Sequence, residues 1–266
     1  MNHLRALAII TILILAAGCA SVGAPGRASQ SQMIDVGGHK LNFVVTEGSG
    51  STVLLEAGQG AASSMWAGVQ SLLANTTNYR VISYDRAGFG KSEPDSANYS
   101  IAREVAGLEA GLQQLGVNGS IIYVAHSYGG FLAQEYAARN PGKVRAIVLV
   151  DPNNACFNTQ GGLSAVYAPP PYNVSAANQR ILYAYLATVE EIARAPAFPA
   201  VPTIVISSGK PPVPAGNMTA IWHQCHQSLA QGNSQGEYWL AENNTHFIAQ
   251  ENPALVVAAI EKTEKE

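Results

Sequence analysis

Ala125-His126-Ser127-Tyr128-Gly129-Gly130 follows the apolar run Ile121-Ile122-Tyr123-Val124 and leads into a helix-forming segment at 131–139. So tight a passage from a buried strand to a helix strains the residue at the bend and pushes its side chain beyond the strand end. Small residues two before and two after Ser127, here Ala125 and Gly129, let strand and helix approach closely. The helix that begins just past the serine adds partial positive charge where an anion could sit. Ser127 is the candidate nucleophile, and the strand-turn-helix around it is the unit to look for elsewhere in the chain.

Working outward, that unit recurs. Residues 33–36 and 40–46 flank Gly37-Gly38 and read as a hairpin, because two glycines supply the positive φ angles of a two-residue turn. Strands are expected at 52–57, 80–84, 121–125 and 144–150, with helices at 63–74, 101–115 and 131–139. The second of these helices has Ser100 as its N-cap, with Glu104 near its start. Continuous apolar strands alternating with helices predict an α/β fold with a mostly parallel central sheet covered on both faces. Right-handed crossovers then bring the C-terminal ends of the strands to one rim.

After Asp151 the alternation stops over 152–201, too long for a simple connection, and a helix is expected there at 175–194. This reads as a small cap insertion whose Tyr167, Pro169-Pro170-Pro171, Tyr172, Tyr183 and Tyr185 would give a largely apolar cover. A strand at 203–207, a helix at 219–229, a strand at 238–241 and a closing helix at 253–262 complete the core, with Pro253 suited to a first helical turn.

Four stretches together resemble the α/β-hydrolase fold family over residues 33–262: Leu55-Glu56-Ala57-Gly58-Gln59-Gly60, Tyr84-Asp85-Arg86-Ala87-Gly88-Phe89-Gly90-Lys91-Ser92, the serine turn, and Asn244-Thr245-His246-Phe247-Ile248. The serine turn here is A-x-S-x-G, with alanine in place of the family's first glycine. The resemblance implies a serine nucleophile, a histidine base after the last strand, an acid on an earlier strand end, and ester or related acyl chemistry. His246 holds the base's position, and a group titrating near neutrality can take the serine proton and return it to a leaving group. The family often places its acid after the strand at 203–207, yet 201–236 contains no Asp or Glu. The first carboxylate at a rim end going backward is Asp151, with Glu190 and Glu191 of the cap helix as the alternatives. The acid's role would be to hold the imidazole tautomer and stabilise the imidazolium. The oxyanion hole implied by the family uses the backbone N–H of Tyr128 and that of Gln59, where Ala57-Gly58-Gln59 replaces the usual His-Gly-x. Asp85 and Arg86 are expected to be structural, tying the loop 87–92.

Composition narrows the partners. The 266 residues carry 15 Lys+Arg against 18 Asp+Glu, a net charge of -3, which offers no footprint for nucleic acid. Gly and Pro are dispersed, so largely disordered readings fall away. Three cysteines, Cys19, Cys156 and Cys225, are too few for a cysteine-only zinc site, and His223, Cys225 and His226 crowded on one helix make a poor tetrahedral set. No metal and no cofactor are expected.

Residues 1–18 read as a secretory signal with an apolar run too short to span a bilayer. Ala16-Ala17-Gly18-Cys19 resembles the bacterial lipobox, so Cys19 is the expected lipidation site, a plain cleaved signal being the alternative. Residues 19–32, rich in small residues, would be a flexible tether, and the body would run over 33–264. The expected location is the bacterial cell envelope, with the membrane touched only through the N-terminal lipid, or the periplasm or exterior if Cys19 is unmodified. In such an oxidising compartment Cys156 and Cys225 can pair.

The leading expectation is a serine hydrolase that cleaves short or medium acyl esters through an acyl-enzyme, with a small-molecule acyl substrate as partner. An aminopeptidase or amidase would need an acidic pocket, for which the cap offers only Glu190 and Glu191. A haloalkane dehalogenase would need a carboxylate where Ser127 stands. A non-catalytic binding lipoprotein of the same fold is the reading from outside enzymology.

Overall fold

The computed structural model describes residues 26–162, 174–214 and 216–265. Its strands are β1 (Ser29–Asp35), β2 (Lys40–Thr46), β3 (Thr52–Glu56), β4 (Arg80–Tyr84), β5 (Ile121–His126), β6 (Val144–Val150), β7 (Thr203–Lys210) and β8 (Gly236–Thr245). They form one sheet in the order β1-β2-β4-β3-β5-β6-β7-β8. The pairs β1/β2 and β2/β4 are antiparallel, and every pair from β4/β3 to β7/β8 is parallel. Helices α1 (Ala67–Thr76), α2 (Ile101–Gln114), α3 (Gly129–Arg139), α5 (Ala176–Arg194), α6 (Asn217–Gln231) and α8 (Pro253–Lys265), with the short turns α4 (Ala155–Phe157) and α7 (Ile248–Glu251), connect them.

Strand alternation splits the core into two apolar layers. Leu54, Ile82, Tyr123 and Ile147 face α2, α3 and α5, burying Val105, Leu108, Phe131, Ile181 and Tyr185. Val53, Leu55, Val81, Ile122 and Val124 face the other way, onto Trp66, Val69, Leu73, Val256 and Ile260. Both faces of the central strands are therefore covered, which explains why those strands read as continuous apolar runs.

The chain winds from β3 outward to β4 and then returns past β3 to β5, so the connections leave the rim in opposite directions between β3 and β5. Open α/β sheets bind their ligands in the crevice created at such a reversal. In the register, Glu56 lies beside Ala125 and His126 beside Val150, so the loop after β3, the serine turn and Asp151 sit side by side.

Several boundaries differ from the sequence expectations, mostly at edges. The proposed tether over 19–32 ends sooner, because β1 begins at Ser29 and residues 29–32 pair with Thr46 to Phe43 of β2. Those residues are polar and exposed on an edge strand, so no alternation marks them. Ahead of β1, the Arg27 guanidinium donates to the carbonyls of Thr77 (2.9 Å) and Tyr79 (2.8 Å), fixing the chain there. The other edge strand, β8, likewise runs beyond the expected 238–241, since its extra residues face solvent. In the insertion between β6 and β7, α5 starts one residue after its cap Ser175, whose hydroxyl accepts from Asn178 N–H. Tyr185 is fully buried against Tyr128 and Phe131, whereas Tyr183 is 72% exposed. Tyr167, Pro169-Pro170-Pro171 and Tyr172 lie outside the described residues, as do the expected signal segment 1–18 and Cys19.

Candidate active site

Ser127 follows β5 with φ 53°, and Asp151 follows β6 with φ 46°; among the described residues these are the two non-glycine positions with positive φ. A left-handed backbone is unfavourable for a side-chain-bearing residue and persists only where its surroundings impose it. Here those surroundings are close-packed. A Cβ on Gly129 would come within 2.7 Å of Glu56 Cγ, and one on Gly58 within 2.6 Å of His126 Nδ1 and 3.1 Å of Ser127 Cβ. Only glycine lets the loop after β3 and the start of α3 close around the serine. Ser127 is 9% exposed.

His246 arrives from the other end of the chain, directly after β8. Its Nδ1 lies 2.6 Å from Asp151 Oδ2. The same carboxylate accepts Ser208 N–H (2.8 Å) and Trp222 Nε1–H (2.9 Å) on Oδ1, and the Ser208 hydroxyl (2.8 Å) on Oδ2. Asp151 is fully buried, which by itself disfavours its charge; hydrogen bonding to His246 and Ser208, with the nearby imidazoles, outweighs this and holds its pKa at about 2. An ionised Asp151 can only accept, so the proton on this side of the imidazole belongs to Nδ1. The Nε2 lone pair is left for another donor.

His246 is joined to the serine turn through His126, whose ring centroid lies 4.5 Å from its own. His126 Nε2 stands 2.8 Å from the His246 carbonyl oxygen, which can only accept, so His126 donates and is the Nε2–H tautomer. Burial, then the neighbouring His246, lowers the His126 pKa to about 3 and keeps it neutral. His126 is thus a strut between the serine turn and His246.

The candidate oxyanion donors are placed at the topological reversal. Tyr128 caps α3, and among the described residues neither its backbone N–H nor that of Gln59 is spent on a backbone carbonyl. Asp85 ties its loop as expected, accepting the N–H groups of Ser63 (2.7 Å) and Lys91 (2.9 Å). Arg86 departs from expectation. It turns inward, fully buried, and binds Glu56 (2.7 Å) and the carbonyls of Ala57 and Gly58.

Of the alternative acids, Glu190 has its side chain 71% exposed near Arg194, and the imidazole of His246 is held by Asp151 instead. Sequence reasoning missed Ser208 and Trp222 as the groups that hold Asp151. Ser208 stands directly after the usual rim of β7, in the place where an acid was sought and not found, which was the available signal. His223, Cys225 and His226 are engaged separately. Cys225 is bonded to Cys156, His223 Nε2 donates to Ser208 O (2.8 Å), and His226 lies between Ser207 Oγ (2.8 Å) and Pro152 O (2.8 Å).

Comparison with known proteins agrees with this architecture. Residues 51–206 match the family model of the alpha/beta hydrolase fold. The chain is 27% identical over 219 residues to the protein YqjL of Bacillus subtilis, covering 80% of this chain and 83% of that one. It is 31% identical over 163 residues to a 2-hydroxy-6-oxo-2,4-heptadienoate hydrolase of Pseudomonas putida, covering 60% and 57%. Among solved structures, a thermophilic esterase from Thermogutta terrifontis superposes with a TM-score of 0.68 at 20% identity, over 89% of this chain and 98% of that one. An epoxide hydrolase from Vigna radiata gives 0.69 at 16% identity, also over 89% and 98%. At these identities the structural likenesses speak for the fold.

Proposed function

The chain belongs to the alpha/beta-hydrolase fold family, and from that premise we propose that it is a serine hydrolase of carboxylic esters, with Ser127 as nucleophile, His246 as general base and acid, and Asp151 as the orienting carboxylate. The observation that carries the reading is the 2.6 Å contact between His246 and a fully buried, ionised Asp151, on the rim where Ser127 bends out of β5. In this mechanism the Ser127 proton passes to His246 Nε2 as Oγ adds to the ester carbonyl. Negative charge then develops on the carbonyl oxygen, facing the Tyr128 and Gln59 amides. Collapse expels the alkoxide, which takes the proton from His246 and leaves an acyl-serine. Water, deprotonated by the same imidazole, attacks the acyl-serine, releasing the carboxylic acid and restoring the serine.

The serine at the bend, with the four donors that commit the Asp151 carboxylate to histidine rather than to substrate, favours acyl transfer through an acyl-serine over attack by a carboxylate. The sequence features at 1–18 and Cys19 support export and lipid anchoring, and a Cys156–Cys225 disulfide is in keeping with an oxidising compartment. Turnover of p-nitrophenyl esters of increasing acyl length, together with labelling by a fluorophosphonate probe that disappears in Ser127→Ala, tests the reading. A wild-type protein that neither labels nor hydrolyses any of these esters would be a binding module instead.

A further inference from the structure

Among the described residues, one buried cation at the rim grips the loop that carries Gln59 and stands beside the Tyr128 ring. Arg86 is 1% exposed. It sends Nη1 to Glu56 Oε1 and the Ala57 carbonyl, and Nη2 to the Gly58 carbonyl. Its guanidinium carbon lies 5.9 Å from the centre of the Tyr128 ring. Glu56 is itself held by the hydroxyls of Tyr84 and Tyr123, so the clamp is anchored in β4 and β5.

The consequence follows from peptide geometry. In a planar trans peptide the C=O and the following N–H point in opposite directions. The Gly58–Gln59 peptide has its oxygen drawn to Arg86, so its N–H points away from Arg86, while Gly58 itself packs against Ser127. A full positive charge on the oxygen side also polarises that peptide toward a stronger N–H donor. Preorganised donors of this kind contribute most when they need not reorient as charge develops. Accepting the esterase reading above, we infer that Arg86 is a positioning residue that fixes and polarises the Gln59 half of the oxyanion hole, with Glu56 holding it in place. Ala57 and Gly58 carry no polar side chain of their own, and the loop is set from behind by a buried ion pair.

The test uses p-nitrophenyl acetate turnover by Arg86→Met, Arg86→Lys and the double variant Glu56→Gln/Arg86→Met. Removing one oxyanion donor typically lowers kcat by roughly 100- to 1,000-fold, so loosening one is expected to lower it by roughly 30- to 300-fold with KM within about threefold. Arg86→Lys, which keeps the charge and loses the fork, should fall between. The double variant removes both members of the buried Glu56–Arg86 pair, so it should fold with a wild-type near-ultraviolet spectrum and remain as slow as Arg86→Met. Affinity for a trifluoromethyl ketone, whose adduct carries the oxyanion, should weaken by the same factor as kcat/KM, while affinity for the carboxylic acid product stays constant. A folded double variant with kcat within threefold of wild type, or equal weakening of both ligands, overturns the inference. A wild-type protein without esterase activity removes the esterase reading, and this one with it.

Discussion

Asp151→Asn separates geometry from charge at the site. The carboxylate meets four donors, and the two on Oδ1, Ser208 N–H and Trp222 Nε1–H, have no lone pair to offer in return. The amide nitrogen of an asparagine must therefore take the Oδ2 position, facing the Ser208 hydroxyl and His246 Nδ1. The hydroxyl can rotate to accept. The imidazole can only comply by moving its proton to Nε2, the nitrogen needed to receive the proton of Ser127. With the base in the wrong tautomer, kcat should fall by roughly four orders of magnitude, the scale known for serine proteases so altered, with KM nearly unchanged. Stability changes far less. A native pKa of about 2 against 3.8 for the free side chain corresponds to about 2 kcal/mol at neutral pH. Because the native value is depressed, that contribution is present above about pH 4 and is lost as pH falls toward 2, where wild type and variant should converge. Initial rates on p-nitrophenyl acetate and urea unfolding at several pH values supply both numbers. A variant whose kcat stays within tenfold of wild type would refute the assignment of Asp151 as the orienting acid.

Two other outcomes follow from the neighbourhood of that carboxylate. The Cys156–Cys225 bond spans 69 residues and ties α4 to α6, the helix that carries Trp222. Its removal in a Cys156→Ser/Cys225→Ser protein should lower stability by about 4 kcal/mol and the thermal midpoint by roughly 10 °C, read by calorimetry. Burial holds the His226 pKa at about 4, below the ordinary 6.5, so the native state binds fewer protons there and stability declines as pH drops from 6.5 to 4. His226→Gln should flatten that decline by about 1.4 kcal/mol per pH unit in urea titrations, and an unchanged slope would mean that His226 is not buried neutral.

The centre of the sheet was legible because burial on both faces leaves only apolar side chains, and the serine turn was legible because its small neighbours are forced by contact. Edges were not. Residues 29–32 are strand by backbone pairing alone, which places no demand on side-chain type, and β8 continues over 242–245 past an irregularity in its pairing with β7. In the candidate site, the places of Ser127, Asp151 and His246 directly after strands were legible from the chain order. Trp222 and Arg86 were not, since each acts across the fold: Arg86 donates to carbonyls 28 and 29 positions away and Trp222 to a carboxylate 71 positions away. A tyrosine count also misjudged the insertion, where the helical face decides that Tyr185 is interior and Tyr183 outward.

The paired left-handed residues at 127 and 151 have an evolutionary corollary. Glycine would relax both bends, but at 151 it would orphan the four donors that the carboxylate satisfies, so a lineage selected for heat resistance alone should drift toward glycine at 127 only. That serine and aspartate stand there instead means that this chain tolerates two local weaknesses at the ends of its most protected strands, and any stabilising redesign must look elsewhere for its gains.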